Sequence, residues 1–462
     1  MIQESPAYFK ENIKQISEDE NLRRIVRKAT SLTLSKRSDL VTEYYSEGKD
    51  WEALRNQAHE IRKKTIDNLD TYLTDLEDHF ERNGIEVKHA INASEACSFV
   101  LRILKEHNTR LVVKSKSMVT EEIHLNDKMI EAGIEVVETD LGEYIIQLAG
   151  ETPSHITAPA MHKSRDDIGK LFSEKLGVPF TNDPAELTAY ARRFLREKFL
   201  KADVGISGAN FLIAETGTVV IIENEGNARL STTLPKLHIV ITGIEKVVPT
   251  LEETATLLKL LPVSATGQKA TSYVSFINSP AKVKEDARPG KIIVILLDNG
   301  RKEILRRQEV REALYCIKCG ACMNVCPVYQ TVSGHAYGSV YPGPIGSILT
   351  PFLTTLKESK DLAYGSSLCG ACSEICPVKI DIHNALLWIR SYAVQKKYTP
   401  FIERMLFKLW RIAMENIFVY NFGRSLLKFL QPLWSDYKDF PPLAEKSFHQ
   451  LWKEGEIWNK NS

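Results

Sequence analysis

Residues 315–327 read YCIKCGACMNVCP, and residues 366–377 read SSLCGACSEICP. The first segment is a C-x2-C-x2-C-x3-C run closed by Pro327. The second repeats it with Ser366 where the first has Cys316. Seven of the eight cysteines lie between residues 316 and 376, and only Cys97 stands outside. Thiols clustered so tightly in a chain expected to stay in a reducing compartment suit metal binding or redox chemistry better than disulfides. Whatever else the chain folds into, it must bring these two loops around an inorganic centre.

The run has the spacing of bacterial ferredoxins, in which three close cysteines hold one cubane and the fourth ligates the other cluster. Two-residue gaps let a tight loop wrap three thiolates, and Gly320 permits the turn. Applied to both copies, this spacing assigns Cys316, Cys319, Cys322 and Cys376 to one 4Fe–4S cluster. The second cluster takes Cys326, Cys369 and Cys372, with one ligand missing. Three readings of the gap stand side by side: Ser366 ligates iron as an alkoxide, the position is open, or the site holds a three-iron cluster. Structural zinc sites instead use separated ligand pairs in closed tetrahedra, which fits this run poorly. In the connecting loop SGHAYGSVYPGPIGSIL, His335 is a candidate fourth ligand or proton partner, with a hydrogen-bonded loop histidine as the commoner role. His383, after Cys376, is expected to cap a helix.

At 462 residues the chain should divide into about two to four domains. Its 43% apolar and 26% charged residues are those of a globular protein, and its formal net charge of +1 gives no field for nucleic acid. The start, MIQESPAYFKENIKQ, lacks the apolar run of a signal peptide. The longest apolar stretch, VGISGANFLIAETGTVVII, is broken by Asn210, Glu215 and Gly217, so no transmembrane segment is expected. A cytoplasmic location follows as an expectation.

Four regions are predicted. Residues 1–84 read as helices, with a stripe of Trp51, Leu54, Ala58, Ile61, Leu69, Tyr72, Leu76 and Phe80, capped by Asp50 and stopped at Asn83-Gly84. Residues 85–300 alternate short β-branched runs (IEVKH, RLVVK, IEVVE) with helical segments near 93–107 and 120–132, implying a parallel α/β sheet. FLIAETGTVVIIE should be two strands, while LHIVITGIEKVV and KIIVILLDNG should be one buried strand each, the latter ending in an Asn299-Gly300 turn. Residues 305–385 hold the cysteine motifs, and 386–462 read as helices. The last region is expected to start with Thr399 capping a helix that begins at Pro400. It is rich in aromatics, among them Phe401, Trp410, Phe418, Phe429 and Trp434. These helices are expected to pack on the protein's own body, with a partner-docking face as the alternative.

The α/β region offers weaker signals. It has neither a G-x-G-x-x-G after a strand nor a Walker A lysine. Glu215, Glu223 and Arg229 at strand ends are candidates to grip a small molecule, with turn chemistry as the competing explanation. Thr120 is a candidate N-cap beside an anion site. His162 and Arg165 are candidates for ligand contact, and Cys97 reads as a buried apolar filler.

Five stretches together, SKSMVTEEIHLN, ITAPAMHKSRDDIGKLF, AETGTVVIIENEGNARL, CIKCGACMNVCPVYQ and CGACSEICPVKIDIH, resemble the lactate utilization protein B family over nearly the whole chain. The resemblance implies an α/β sheet of the sugar-isomerase and CoA-transferase type, a two-cluster ferredoxin-like domain and a helical tail. It implies the same two ligand sets and the same absent eighth cysteine. It further implies an electron-transfer subunit of a complex oxidising L-lactate to pyruvate, working with other subunits and an electron acceptor. No flavin site is evident, so the isolated chain is not expected to oxidise lactate. The competing functions are a redox-sensing metabolite-binding module, and the same relay serving another 2-hydroxy acid.

Overall fold

The structure is a computed structural model describing residues 4–281, 288–430, 444 and 446–454. It divides into two compact units, Met1–Tyr392 and Ala393–Ser462.

The first unit opens with long helices. Asp19 accepts the Leu22 N–H at 2.9 Å and starts Glu20–Ser46, and Asp50 accepts the Ala53 N–H at 3.0 Å and starts Trp51–Asp67. The stripe expected from Trp51 to Phe80 is carried by two helices, not one. The backbone breaks at Asn68, and a second helix runs Leu69–Asn83 before Gly84, at φ 81°, ends it. Trp51, Leu54, Ala58, Ile61, Leu69, Leu76 and Phe80 are buried, so the apolar stripe faces the core as its spacing demanded.

Next comes a parallel sheet of six strands: β1 (Glu86–Ala90), β2 (Leu111–Lys114), β3 (Glu135–Glu138), β4 (Val204–Ser207), β7 (Leu237–Gly243) and β10 (Lys291–Leu297), in spatial order β1-β10-β7-β4-β2-β3. All their pairings are parallel. The central strands are apolar on both faces because helices cover both sides. Ile239, Ile241, Ile293 and Ile295 pack with helix Ala93–Glu106 on one face, whereas Val240, Ile292, Val294 and Leu296 join the larger core on the other.

A second sheet of four strands was not foreseen. It has the order β8-β5-β6-β9, from β5 (Phe211–Ile213), β6 (Thr218–Glu223), β8 (Val247–Val248) and β9 (Tyr273–Ile277). FLIAETGTVVIIE does form two strands, an antiparallel β5–β6 hairpin in this second sheet. LHIVITGIEKVV is not one strand. A short 3-10 turn at Ile244–Lys246 carries the chain from β7 in the first sheet to β8 in the second.

The helix expected at 120–132 is also divided, into Met118–Glu122 and Leu125–Glu131, because His124 sits at φ 50°. Its cap is Ser117, whose Oγ accepts the Thr120 N–H. Thr120 lies inside the helix, buried and bonded to Lys114 Nζ at 2.8 Å. Thr120 therefore caps nothing, and the anion site expected there has no basis.

In the second unit, helices run Phe401–Glu415 and Ile417–Leu430. The first starts one residue later than expected, with extended Pro400 as its cap in place of Thr399. Neither helix has a buried residue, and Phe401, Trp410, Phe418 and Phe429 are all exposed. Trp434 lies outside the described residues. No helix among the described residues is long and apolar enough to cross a membrane.

Candidate metal centre

The two cysteine segments adopt the same backbone path. Lys318 and Leu368 both sit at positive φ (59° and 54°), followed by Gly320 and Gly370 at 77° and 82°. Each glycine then starts a five-residue helix, Ala321–Val325 or Ala371–Ile375, and these two short helices pack against each other. Left-handed turns aim successive N–H groups inward, where they can meet sulfur. Lys318 donates its N–H to Cys316 Sγ at 3.3 Å, and Ile380 donates to Cys376 Sγ at 3.4 Å.

The fold brings the first predicted set together. Cys316, Cys319, Cys322 and Cys376 line one cavity, closed by Ile156, Ile317, Ile345, Val378, Ile380 and Ile382. Burial pushes the Cys319 and Cys322 thiols up, and Cys376 to about 12. A bound metal would have to supply the driving force for their deprotonation. Among the described residues, no group of three His, Cys, Asp or Glu is arranged to hold a metal ion. Four thiols around an apolar cavity, served by backbone N–H donors, fit a polynuclear cluster better than a single zinc.

Cys326, Cys369 and Cys372 form the second group, for the charge of each of Cys326 and Cys369 is felt at Cys372. Burial pushes Cys326 up and Cys372 to about 11. Cys369 is exposed, and the Ala371 N–H draws its thiol down. Ser366 Oγ accepts the Leu368 N–H at 3.1 Å, the same contact that Cys316 Sγ makes with Lys318 in the first copy.

Arginines from the N-terminal helices fasten these loops. Arg55 donates from Nη2 to the Cys376 carbonyl at 2.7 Å. Arg62, fully buried, reaches the carbonyls of Glu245, Val247 (2.8 Å), Leu314 (2.9 Å) and Tyr315 (3.3 Å). Desolvation lowers its guanidinium to about 10, which leaves it charged at neutral pH. From the α/β side, His155 Nδ1 accepts the N–H groups of Thr157 and Ala158, so its Nε2 faces Asn324 Oδ1 at 3.1 Å, between Cys322 and Cys326.

The other candidates resolve into structural roles. His335 bonds the Thr152 carbonyl at 2.8 Å, and its ring lies 4.4 Å from that of His162. His162 is held between Ser154 Oγ and Glu151, both at 2.8 Å. Arg165 is an exposed first residue of a helix. His383 does not cap its helix; Nδ1 instead bonds Ser373 Oγ at 2.9 Å. Glu215, Glu223 and Arg229 are not brought to one site. Glu215 accepts the Leu251 N–H, Glu223 accepts the N–H groups of Ala228 and Arg229, and the Arg229 guanidinium lies 4.9 Å over Tyr273. Cys97 is buried and donates to the Ile123 carbonyl. Sequence reasoning missed Arg62, His155 and Lys246. The only available signal was an arginine beside an otherwise apolar helix stripe.

Fold and thiol loops together define an iron–sulfur protein in which an α/β domain is joined to a dicluster module. Residues 73–297 match the LUD domain family, and residues 312–380 match the 4Fe-4S dicluster domain family. Lactate utilization protein B of Bacillus cytotoxicus is 43% identical over 421 residues, covering 87% of this chain and 89% of that protein. Lactate utilization protein B 1 of Bacillus mycoides is 42% identical over 453 residues, covering 94% of each. A crystal structure of a duf162 family protein from Deinococcus radiodurans aligns with TM-score 0.28 and 15% identity, covering 50% of this chain and 98% of that one. The chain belongs to the lactate utilization protein B family.

Proposed function

We propose that the chain is the iron–sulfur electron-transfer subunit of a complex that oxidises L-lactate to pyruvate and so allows growth on lactate. The names of the relatives support the lactate assignment, and the family match over most of the chain carries it across. One observation supports the relay above all: two thiol groups lie side by side on packed, near-identical loops. Two 4Fe–4S clusters, one ligated by Cys316, Cys319, Cys322 and Cys376 and the other by Cys326, Cys369 and Cys372, would supply single-electron transfer. The protein's part is to hold thiolates, donate N–H groups to sulfur and keep water away from the first set. Ser366 is the fourth ligand of the second set in this reading, because its Oγ takes the backbone contact that Cys316 Sγ takes in the first copy. The α/β layer is read as the sugar-isomerase and CoA-transferase type. Partners are the other subunits and an electron acceptor, in the cytoplasm.

The test is anoxic purification, with about seven to eight irons per chain expected. Visible absorbance should bleach with L-lactate only when the partner subunits are added. Bleaching by L-lactate with the isolated chain would overturn the subunit role. Zinc in place of iron would overturn the relay itself.

A further inference from the structure

A second cavity, of about 300 Å³ and open to solvent, lies at the C-terminal ends of the parallel strands. Its lining includes Ser115 and Lys116 after β2, Asn210 after β4 and Lys246 after β7. From β2 the chain steps outward to β3, then returns through β4, β7 and β10 in the opposite direction, so the strand order reverses between β2 and β4. Open α/β sheets take ligands at such a switch point, beyond the carboxyl ends of the strands.

Topology alone would leave the site generic, but Lys246 makes it specific. This lysine is only 7% exposed and lines the cavity, yet it makes no hydrogen bond or ion pair among the described residues. Its neighbour in the chain, Glu245, bonds Arg301, whose Nε lies 2.6 Å from Glu245 Oε2, and its charge reaches Lys246 without a direct contact. Desolvation pulls the Lys246 ammonium down to about 8. A buried ammonium with no hydrogen-bond partner is costly, and a ligand anion in the cavity would supply one. A second ammonium on the lining, Lys318, sits 4.1 Å over the Tyr341 ring. The carboxyls of Asp140 and Glu225 also line the cavity and suit ligand hydroxyl groups.

We infer that this cavity binds a small organic anion bearing hydroxyl groups, with Lys246 holding the anionic group. Ile156 and Lys318 line both this cavity and the one formed by Cys316, Cys319, Cys322 and Cys376, so a bound anion lies one residue layer from the first thiol set. Occupancy of one cavity should therefore be sensed in the other. The binding claim stands apart from the electron-transfer reading, since it needs only the α/β domain and the Lys318 loop.

The experiment is calorimetric titration of anoxically purified full-length protein, with iron measured on every sample. L-lactate and glycerol 3-phosphate are the two probes, a hydroxycarboxylate and a hydroxylated phosphate ester. Binding of either supports the site, and the stronger one identifies the anionic group. Lys246→Met should weaken that binding at least tenfold, and Lys246→Arg should weaken it less. The Met variant should also melt no lower than the parent in the absence of ligand, because it removes a buried ammonium that makes no hydrogen bond. With the protein reduced, the stronger probe should shift the low-temperature EPR spectrum of the parent and leave that of Lys246→Met unmoved. Binding of neither probe, or unchanged affinity in Lys246→Met, overturns the proposal. So does a lower melting temperature in the unliganded Met variant, since that would mean Lys246 holds the fold together. If iron is absent but binding persists, the relay reading fails and this one survives.

Discussion

Arg62→Met tests whether the helical region holds the first thiol loop in place. The guanidinium reaches four backbone carbonyls, two of which belong to Leu314 and Tyr315, directly ahead of Cys316. Methionine fills much of the volume and donates nothing. Each buried carbonyl left without a donor costs about 1–3 kcal/mol, and removal of the buried charge returns part of that sum. Breaking a buried ionic network from one side costs about 3–5 kcal/mol in practice, and about 4 kcal/mol is the working figure here. An unfolding entropy of about 2.1 cal/mol/K per residue, taken over Met1–Tyr392, gives about 0.8 kcal/mol/K, so Tm should fall by about 5 °C. Arg62→Lys keeps the charge but cannot fan over four acceptors, and should recover less than half of the loss. Melting followed by circular dichroism gives the first number, and iron per chain gives the second. Iron should fall toward what Cys326, Cys369 and Cys372 can hold, because the loop entering Cys316 loses its anchor. A Met variant that melts within 1 °C of the parent and keeps its iron would refute this account of the loop.

Three further outcomes are expected. If Ser366 ligates iron, Ser366→Ala should alter the EPR spectrum of the second cluster and lose about one iron per chain, while Ser366→Cys should restore a full complement with a spectrum closer to that of the first cluster. Identical spectra for parent and Ser366→Ala would rule the serine out. Arg301 is buried, donating to both oxygens of Glu122 at 2.8 Å and to Glu245; Arg301→Met strands two buried carboxylates and should cost about 3–5 kcal/mol, read as a Tm loss that Glu122→Gln in the same chain partly relieves. His238 is buried, bonded to Ser207 Oγ at 2.7 Å, and burial lowers it to about 3. The unfolded chain takes up that proton below about pH 6.5 and the folded chain does not, so the parent should lose up to about 1.4 kcal/mol per pH unit as pH falls from 6.5 toward 3. His238→Gln should not share that loss, and a stability gap between the two that stays constant with pH would contradict the assignment.

What the sequence disclosed follows from how local each signal is. The cysteine runs carry their geometry in their spacing, and the fold seats four of the seven thiols around one cavity. The runs EVKHA, LVVK, EVVE and KIIVILL became strands because β-branched residues bury well on a sheet covered from both sides. LHIVITGIEKVV was misread as one strand because its apolar residues continue through the break. What divides it is tertiary: Arg62 donates to the carbonyls of Glu245 and Val247 and pins the turn between the two sheets. Lys246 sits in that turn and was invisible for the same reason. A lysine among valines and isoleucines in a chain reads as a solvated edge, and only the fold makes it a buried cation.

The same turn explains why three parts of the chain depend on one another. Arg62, from the N-terminal helices, binds the backbone on both sides of Lys246 and also the residues leading into Cys316. His155 and Ile156, from the loop after helix Leu141–Ala149, reach Asn324 and the thiol-lined cavity. Movement of the Lys246 turn is therefore movement of the Cys316 loop, because a single rigid guanidinium holds both. A ligand that draws Lys246 toward the α/β cavity would pull on the same carbonyls that set the first thiol. Coupling by this route requires Arg62 and no change in any cysteine. In Arg62→Lys, any probe-induced EPR shift should shrink while probe affinity stays within about threefold of the parent, which is less than 1 kcal/mol of binding free energy. If the shift persists at full size, the two cavities communicate through their shared Ile156 and Lys318 wall instead.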